Sequence, residues 1–235
     1  NEESTKNLIN KLDVNKYKIL CEKPVGINID ETKKIISKIN SKHFYVALNR
    51  RLYGSNIKAK KLIKNIKGSR LISIRDQEMQ NTKSNIRNKN WMYLNSVHLI
   101  DYINFYARGK IVKINRIKKF KNHQFSDHLV ILYFSSKDQV IYYCNWNSPG
   151  TWSVNIIQKN HSIEMKPLEN LVQEKLIKGK RVRFFHNKSN LDTLFKPGLF
   201  NQVTEFLKML KGKNHNLVNL KEYYKTVKII NKIYA

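Results

Sequence analysis

The chain has 235 residues, with 45 Lys and Arg against 17 Asp and Glu, a formal net charge of +28 and 41% hydrophobic residues. That apolar share excludes wholesale disorder and can supply the core of one large domain or two small ones. No apolar stretch reaches the ~18 residues of a membrane-crossing helix, so no membrane partner is expected.

In chain order, Leu8, Ile9 and Leu12 have helical spacing and predict a helix over Glu2–Val14. Lys16–Cys21 reads as a short buried strand, closed by Glu22-Lys23-Pro24 because proline cannot continue the ladder. Asn28 followed by Glu31 has the form of a capping box, and Ile29, Ile35, Ile36 and Ile39 line the helix face after it. His43–Asn49 is a second strand, so the opening reads α-β-α-β, as in a parallel doubly wound sheet. A helix is expected over Ser55–Ile66, ended by Gly68, then a long strand over Arg70–Gln80 and a polar loop over Asn81–Asn90. Trp91–Tyr106 reads as a helix.

Lys110–Phe120, His128–Phe134, Val140–Trp146, Thr151–Gln158 and His161–Lys166 then read as strands joined by short turns, predicting an antiparallel meander. Two helices follow, marked by Leu199, Val203, Phe206, Leu207 and Leu210, and by Leu220, Tyr223, Tyr224, Val227, Ile230 and Ile233. The change from α/β alternation to antiparallel strands puts the domain boundary near Asn49.

The basic surplus is mostly Lys among many Asn, Ile, Tyr and Phe. Arg, which forks onto phosphate and guanine, is scarce, and there is no Cys/His finger or aromatic-glycine RNA signature. The charge therefore reads as a solvated surface, and no nucleic-acid partner is expected. Cys21 and Cys144 are far apart in strand-like contexts. They read as buried small hydrophobes of a reducing, cytoplasmic protein. No metal site is expected.

Four local patterns occur in a fixed order: Ile19-Leu20-Cys21-Glu22-Lys23-Pro24; Ala47–Lys61 (ALNRRLYGSNIKAKK); His98-Leu99-Ile100-Asp101; and Phe195-Lys196-Pro197-Gly198-Leu199-Phe200. With their strand and helix contexts they resemble the Gfo/Idh/MocA oxidoreductases, the glucose–fructose oxidoreductase and inositol dehydrogenase family, over nearly the whole chain. The resemblance implies an α/β part followed by an α+β part. Residues 1–49 would be the C-terminal part of a Rossmann-type NAD(P)-binding domain. Residues 50–235 would be a substrate and oligomerisation domain with a large, mostly antiparallel open sheet.

No G-x-G-x-x-G occurs: Gly26, Gly54 and Gly68 stand alone. The Glu-Lys-Pro pattern, well inside a complete family member, falls here at residue 22. An N-terminally truncated chain, missing the glycine-rich half, is therefore expected.

The implied activity is an NAD(P)-dependent interconversion of a hydroxyl and a carbonyl on a sugar, cyclitol or nucleotide sugar, with NAD or NADP as cofactor. His98 is the candidate base because an imidazole titrates near neutral pH. Lys23 is the candidate electrostatic partner of the reacting oxygen. Glu22, Lys23 and Pro24, at a strand end where open α/β sheets present ligands, are expected at the cofactor. Arg51, Asn95 and Trp91 are expected at the substrate. Arg50 and Arg51 could line the substrate or cofactor cleft or equally form a solvated helix entry, and Asp101, one turn after His98, reads as structural.

Many family members carry Asp or Asn four residues before the histidine, completing a Lys-Asp-His set. Here that position is Leu94, and Trp91-Met92-Tyr93-Leu94 replaces the glycines that precede the helix in many members. A homo-oligomer through the C-terminal sheet is implied as well. The alternative is a non-catalytic relative, or a basic binding module, that keeps the fold without turnover.

Overall fold

The computed structural model describes residues 9, 16–39, 42–79, 89–119, 128–146 and 148–234. The helix expected over Glu2–Val14 and most of the loop expected over Asn81–Asn90 lie outside the described residues. The opening α/β grammar is otherwise present. Strand β1 (Ile19–Glu22) pairs in parallel with β2 (Phe44–Ala47), and helix α1 (Ile29–Lys38) crosses between them. Parallel neighbours need such a crossover.

The start of α1 follows from its sequence. Asn28 is extended, and its side chain accepts the Glu31 N–H at 2.8 Å. The Glu31 carboxylate accepts the Ile27 N–H at 2.9 Å, so the box closes one residue earlier than the Asn28 pattern alone suggests. All four residues of β2 are buried. A short strand near the C-terminus, β11 (Val218–Asn219), covers the other edge of β2 in antiparallel register.

After β2 the chain makes a 3₁₀ turn (Asn49–Leu52) and enters helix α2 (Gly54–Ile63). Strand β3 (Leu71–Glu78) follows, then a wide π turn (Met92–Ser96) leading into helix α3 (Val97–Tyr106). Strands β4 (Ile111–Lys119), β5 (His128–Phe134), β6 (Gln139–Trp146), β7 (Ser153–Gln158) and β8 (His161–Met165) come next. Then come β9 (Leu171–Ile177), β10 (Lys180–His186), helices α4 (Asn190–Leu194) and α5 (Leu199–Leu210), strand β11 and helix α6 (Leu220–Tyr234).

The large sheet is mostly antiparallel, with the order β10-β9-β8-β7-β3-β6-β5-β4. This corrects the simple meander: β6 and β7, consecutive in sequence, are not neighbours. β3 lies between them, parallel to β6 and antiparallel to β7. The reason is visible in β3 itself. Ile72, Ile74 and Asp76 on its inner face are fully buried, which suits a central strand. The segment after β6, which reads as a hairpin turn, instead passes over the end of β3. Gln77 holds it there, its Nε2 donating to Ser148 Oγ at 2.7 Å and to the Pro149 carbonyl.

Strands β5 to β7 alternate buried and half-exposed residues, so one face of the sheet packs inward and the other is open. Helix α3, buried almost throughout, lies against the inner face near β3. Helix α6 packs between α3 and α1, presenting Tyr223, Val227, Ile230 and Ile233 to the core. No helix of the described residues is long and apolar enough to cross a membrane.

Two elements at the end of the sheet, β9 and β10, are absent from the sequence-based expectation. They form a Lys- and Arg-rich hairpin with little burial, so hydrophobic alternation is weak there. Its signal is Lys178-Gly179, both with positive φ, the form that closes a two-residue hairpin turn. Gly198, in the late motif, has φ +74°, and a Cβ built there would stand 2.3 Å from the Asn49 carbonyl oxygen. Its N–H is held by Asp192 at 2.9 Å, and the same carboxylate caps α2 through the Gly54 N–H at 2.6 Å. The glycine is thus required where α5 docks onto the 3₁₀ turn.

Candidate active site

The two sheets bring the end of β1, the π turn and start of α3, and the end of β3 into one neighbourhood. Lys23 follows β1 directly, and a cis Lys23–Pro24 peptide turns the chain, with Pro24 and Val25 buried. The Lys23 ammonium donates to the backbone carbonyl of Leu94. Leu94 holds the position where many members of the resembled family carry a polar side chain, and here the main chain of that residue meets the lysine. The π turn is what exposes main-chain groups at this point; such turns loosen the regular i→i+4 ladder.

His98 is 2% exposed, and its Nδ1 is buried without a hydrogen-bond partner. Its ring lies 6.4 Å from the Trp152 ring, centroid to centroid. Burial, then the charges of Arg50 and Lys23, push its pKa well below the ordinary imidazole value, so it is neutral at pH 7. Asn95, one turn earlier, donates from Nδ2 to Glu78 Oε2.

Glu78 was not identified from sequence, nor were Asp76 and Trp152. Asp76 and Glu78 lie two apart on β3. Asp76 is fully buried and accepts from the Tyr142 hydroxyl at 2.8 Å, with Ser96, Trp146 and Trp152 close enough to favour its charge. Burial outweighs them and raises its pKa. The Glu78 carboxyl is pushed up to about 7 by burial and by Asp76, against the opposing pull of Arg50 and Lys23. The Arg50 guanidinium lies over the Trp152 indole, 4.4 Å from the ring centre, a cation–π contact. Arg50, Tyr53, Gln77, Glu78, Trp152 and Glu169 line a cavity of about 200 Å³ beside this cluster.

The remaining sequence candidates are placed differently. The Glu22 side chain is exposed at the end of β1. Arg51 is turned away from the Arg50 cavity: both its Nε and Nη2 donate to Asp101, the latter at 2.7 Å, and Asp101 also accepts from Thr226 at 2.8 Å. Trp91 packs against the main core with its indole N–H buried and unpartnered. The structure therefore gathers Lys23, Arg50, Asn95 and His98, adds Asp76, Glu78 and Trp152, and sets Arg51 with Asp101. Among the described residues no cluster of three or more His, Cys, Asp or Glu could hold a metal ion. Neither Cys21 nor Cys144 forms a disulfide: Cys144 is buried and accepts from the Tyr234 hydroxyl at 3.4 Å, whereas Cys21, expected to be buried, is only partly so.

No family model matches the sequence, and no curated protein matches it. Solved structures do. A Clostridium difficile dehydrogenase, MviM, superposes with a TM-score of 0.76 at 19% identity, over 99% of this chain and 76% of that one. Levoglucosan dehydrogenase in complex with NADH gives 0.77 at 15% identity, over 99% and 74%. UDP-N-acetylglucosamine 3-dehydrogenase from Acidithiobacillus ferrooxidans gives 0.72 at 10% identity, over 92% and 69%. At these identities the likeness establishes the fold: a Rossmann-type α/β part joined to an α+β part with a large, mostly antiparallel sheet.

Proposed function

We propose that the protein is an NAD(P)-dependent oxidoreductase that interconverts a hydroxyl and a carbonyl on a sugar, cyclitol or nucleotide sugar. The observation that carries this reading is the convergence of Lys23, which follows β1, with neutral His98 and with the Asn95–Glu78 pair, whose Glu78 lines a cavity with Arg50 and Trp152. The end of a parallel strand is where open α/β sheets bind ligands. Two of the solved structures of this fold are by name sugar or nucleotide-sugar dehydrogenases, one of them with NADH bound.

A nicotinamide fits this set of residues. The buried His98 Nδ1, which has no hydrogen-bond partner, is a group that a polar ring or a reacting oxygen would satisfy, and the Lys23 ammonium brings positive charge close to it. Glu22, Lys23 and Pro24 would border it, and when bound it would supply the two-electron acceptor. In oxidation, Lys23 stabilises the oxygen as its negative charge grows, and His98 or a neighbouring carboxylate receives the hydroxyl proton. Arg50 and Trp152 form the wall against which the substrate is oriented, and Asn95 fixes the Glu78 carboxylate.

In this reading residues 1–49 are the cofactor unit and residues 50–235 the substrate unit, with β11 and α6, at the end of the second, packing back against the first. The protein acts in the cytoplasm as a homo-oligomer joined through the open sheet face. That face carries partly exposed apolar residues such as Ile157, at 46% exposure.

The test is to purify the natural full-length protein, measure NADH and NADPH binding by calorimetry, and follow nicotinamide absorbance with a panel of sugars and nucleotide sugars. Turnover that Lys23→Met abolishes is the expected result. Cofactor binding without turnover of any substrate would instead identify a non-catalytic relative.

A further inference from the structure

Many members of the resembled family carry Asp or Asn at the position that Leu94 fills here. Leu94 gives only its carbonyl to Lys23. The carboxylates that do adjoin the site come from elsewhere. Asp76 is enclosed, fully buried and surrounded by the hydroxyl of Tyr142 and the side chains of Ser96, Trp146 and Trp152. Glu169 borders the cavity from the β8–β9 loop, beside Tyr53. Glu78 both lines the cavity and is tied into the catalytic neighbourhood by Asn95.

We propose that Glu78 is a catalytic acid–base residue of this site, its carboxylate taking the substrate hydroxyl proton in oxidation and returning it in reduction. The inference rests on the oxidoreductase reading above. In the oxidative direction the substrate O–H bond breaks and its proton forms an O–H bond on the Glu78 carboxylate. The carbinol C–H bond breaks with its electron pair, the hydride passes to oxidised nicotinamide, and the carbon–oxygen bond becomes a carbonyl. The reverse reaction takes the proton back from Glu78.

The charges around the two possible bases favour Glu78. Arg50 and Lys23 both oppose protonation of His98, which burial already disfavours. The same two cations stabilise the Glu78 carboxylate, while burial and Asp76 destabilise it. The balance leaves a carboxyl that exchanges its proton near neutral pH, the condition under which a base transfers protons most effectively. His98, held neutral, is suited to accept a hydrogen bond and orient the substrate hydroxyl.

The experiment uses the natural full-length protein in three forms: wild type, Glu78→Gln and Glu78→Asp. Difference infrared spectroscopy from about pH 5 to about pH 9 should show a protonated carboxyl band that disappears near neutrality in wild type and is missing from Glu78→Gln. The pH profile of kcat/KM for oxidation should have an acidic limb in the same range. Glu78→Gln should remove that limb and slow oxidation by roughly 100-fold, with cofactor affinity unchanged and activity partly restored in Glu78→Asp. A Glu78 band already lost below about pH 5.5, or a Gln variant within about threefold of wild type with its limb intact, would overturn the proposal. A wild type that neither binds nicotinamide nor turns over any sugar would overturn the oxidoreductase reading, and this inference with it. Turnover retained in Glu78→Gln overturns this inference alone.

Discussion

Glu78 also has a consequence for stability that needs no substrate. Its carboxyl is raised from an ordinary 4.5 to about 7, with burial as the main cause and Asp76, two residues away, as the next. An acid raised in this way keeps its proton in the folded state at pH values where the unfolded chain has lost it. Between 4.5 and about 7 the folded state therefore holds the extra proton, and stability falls as pH rises through that window. Above it, the folded protein carries an ionised, partly desolvated carboxylate.

At about 1.4 kcal/mol per tenfold, the displacement from 4.5 to about 7 amounts to about 3.5 kcal/mol as an upper limit. Glu78 is only partly buried, and screening by water reduces this to about 1.5 kcal/mol.

Glu78→Gln removes the charge and keeps an oxygen to accept from Asn95. The variant should match wild type near pH 4.5 and become more stable by about 1.5 kcal/mol at about pH 8, or about 4 °C in Tm for a chain of this size. Thermal and urea unfolding followed by circular dichroism at both pH values measure this directly. A stability difference that does not change with pH would refute the reasoning. So would a variant less stable than wild type at the higher pH, because it would show the Glu78 charge to be net stabilising.

The other predictions concern architecture. Asp101→Ala should destabilise the fold by about 3–5 kcal/mol in urea unfolding, because it leaves the largely buried Arg51 guanidinium without its carboxylate. Lys is not equivalent to Arg in this two-pronged contact, so Arg51→Lys should recover only part of the loss of Arg51→Ala. Gly198→Ala should lower stability by about 2 kcal/mol or more, since the new Cβ meets the Asn49 carbonyl at a positive φ; no loss would mean α5 docks differently. Ile157→Glu, on the open face of the sheet, should shift the protein toward monomer in light scattering while leaving its Tm nearly unchanged.

Much of this was legible from local pattern, and the parts that were not are of one kind. The strand before Glu22-Lys23-Pro24, the Asn28 cap and the helix carrying His98 each depend on residues within a turn or two of one another. The placement of β3 between β6 and β7 does not. It brings Glu78 and Trp152, far apart in sequence, to the same cavity, and nothing local to Asp76-Gln77-Glu78 distinguishes a catalytic strand end from a solvated one. Arg50 and Arg51 are adjacent and alike in sequence. One turns over Trp152 and the other pairs with Asp101, a distinction made by the 3₁₀ turn and by Thr226 on α6.

Leu94 shows how a contact can outlive the side chain expected to make it. A leucine there suggests a lost catalytic group, yet Lys23 is anchored on that residue through its carbonyl. The carboxyl that a helix Asp would contribute comes instead from β3, where Glu78 lies within the influence of Arg50 and Lys23. This also changes the meaning of the net charge of +28. Most of those lysines are solvated and act on the site only through water and salt, which screen them beyond about 10 Å. The protonation of His98 and Glu78 is set first by burial, and then by charges at close range, Asp76 for Glu78 and Arg50 and Lys23 for both. Raising the ionic strength should therefore leave the neutral-range titration of Glu78 nearly in place, whereas Lys23→Met, which removes one of the two nearby cations, should move it upward.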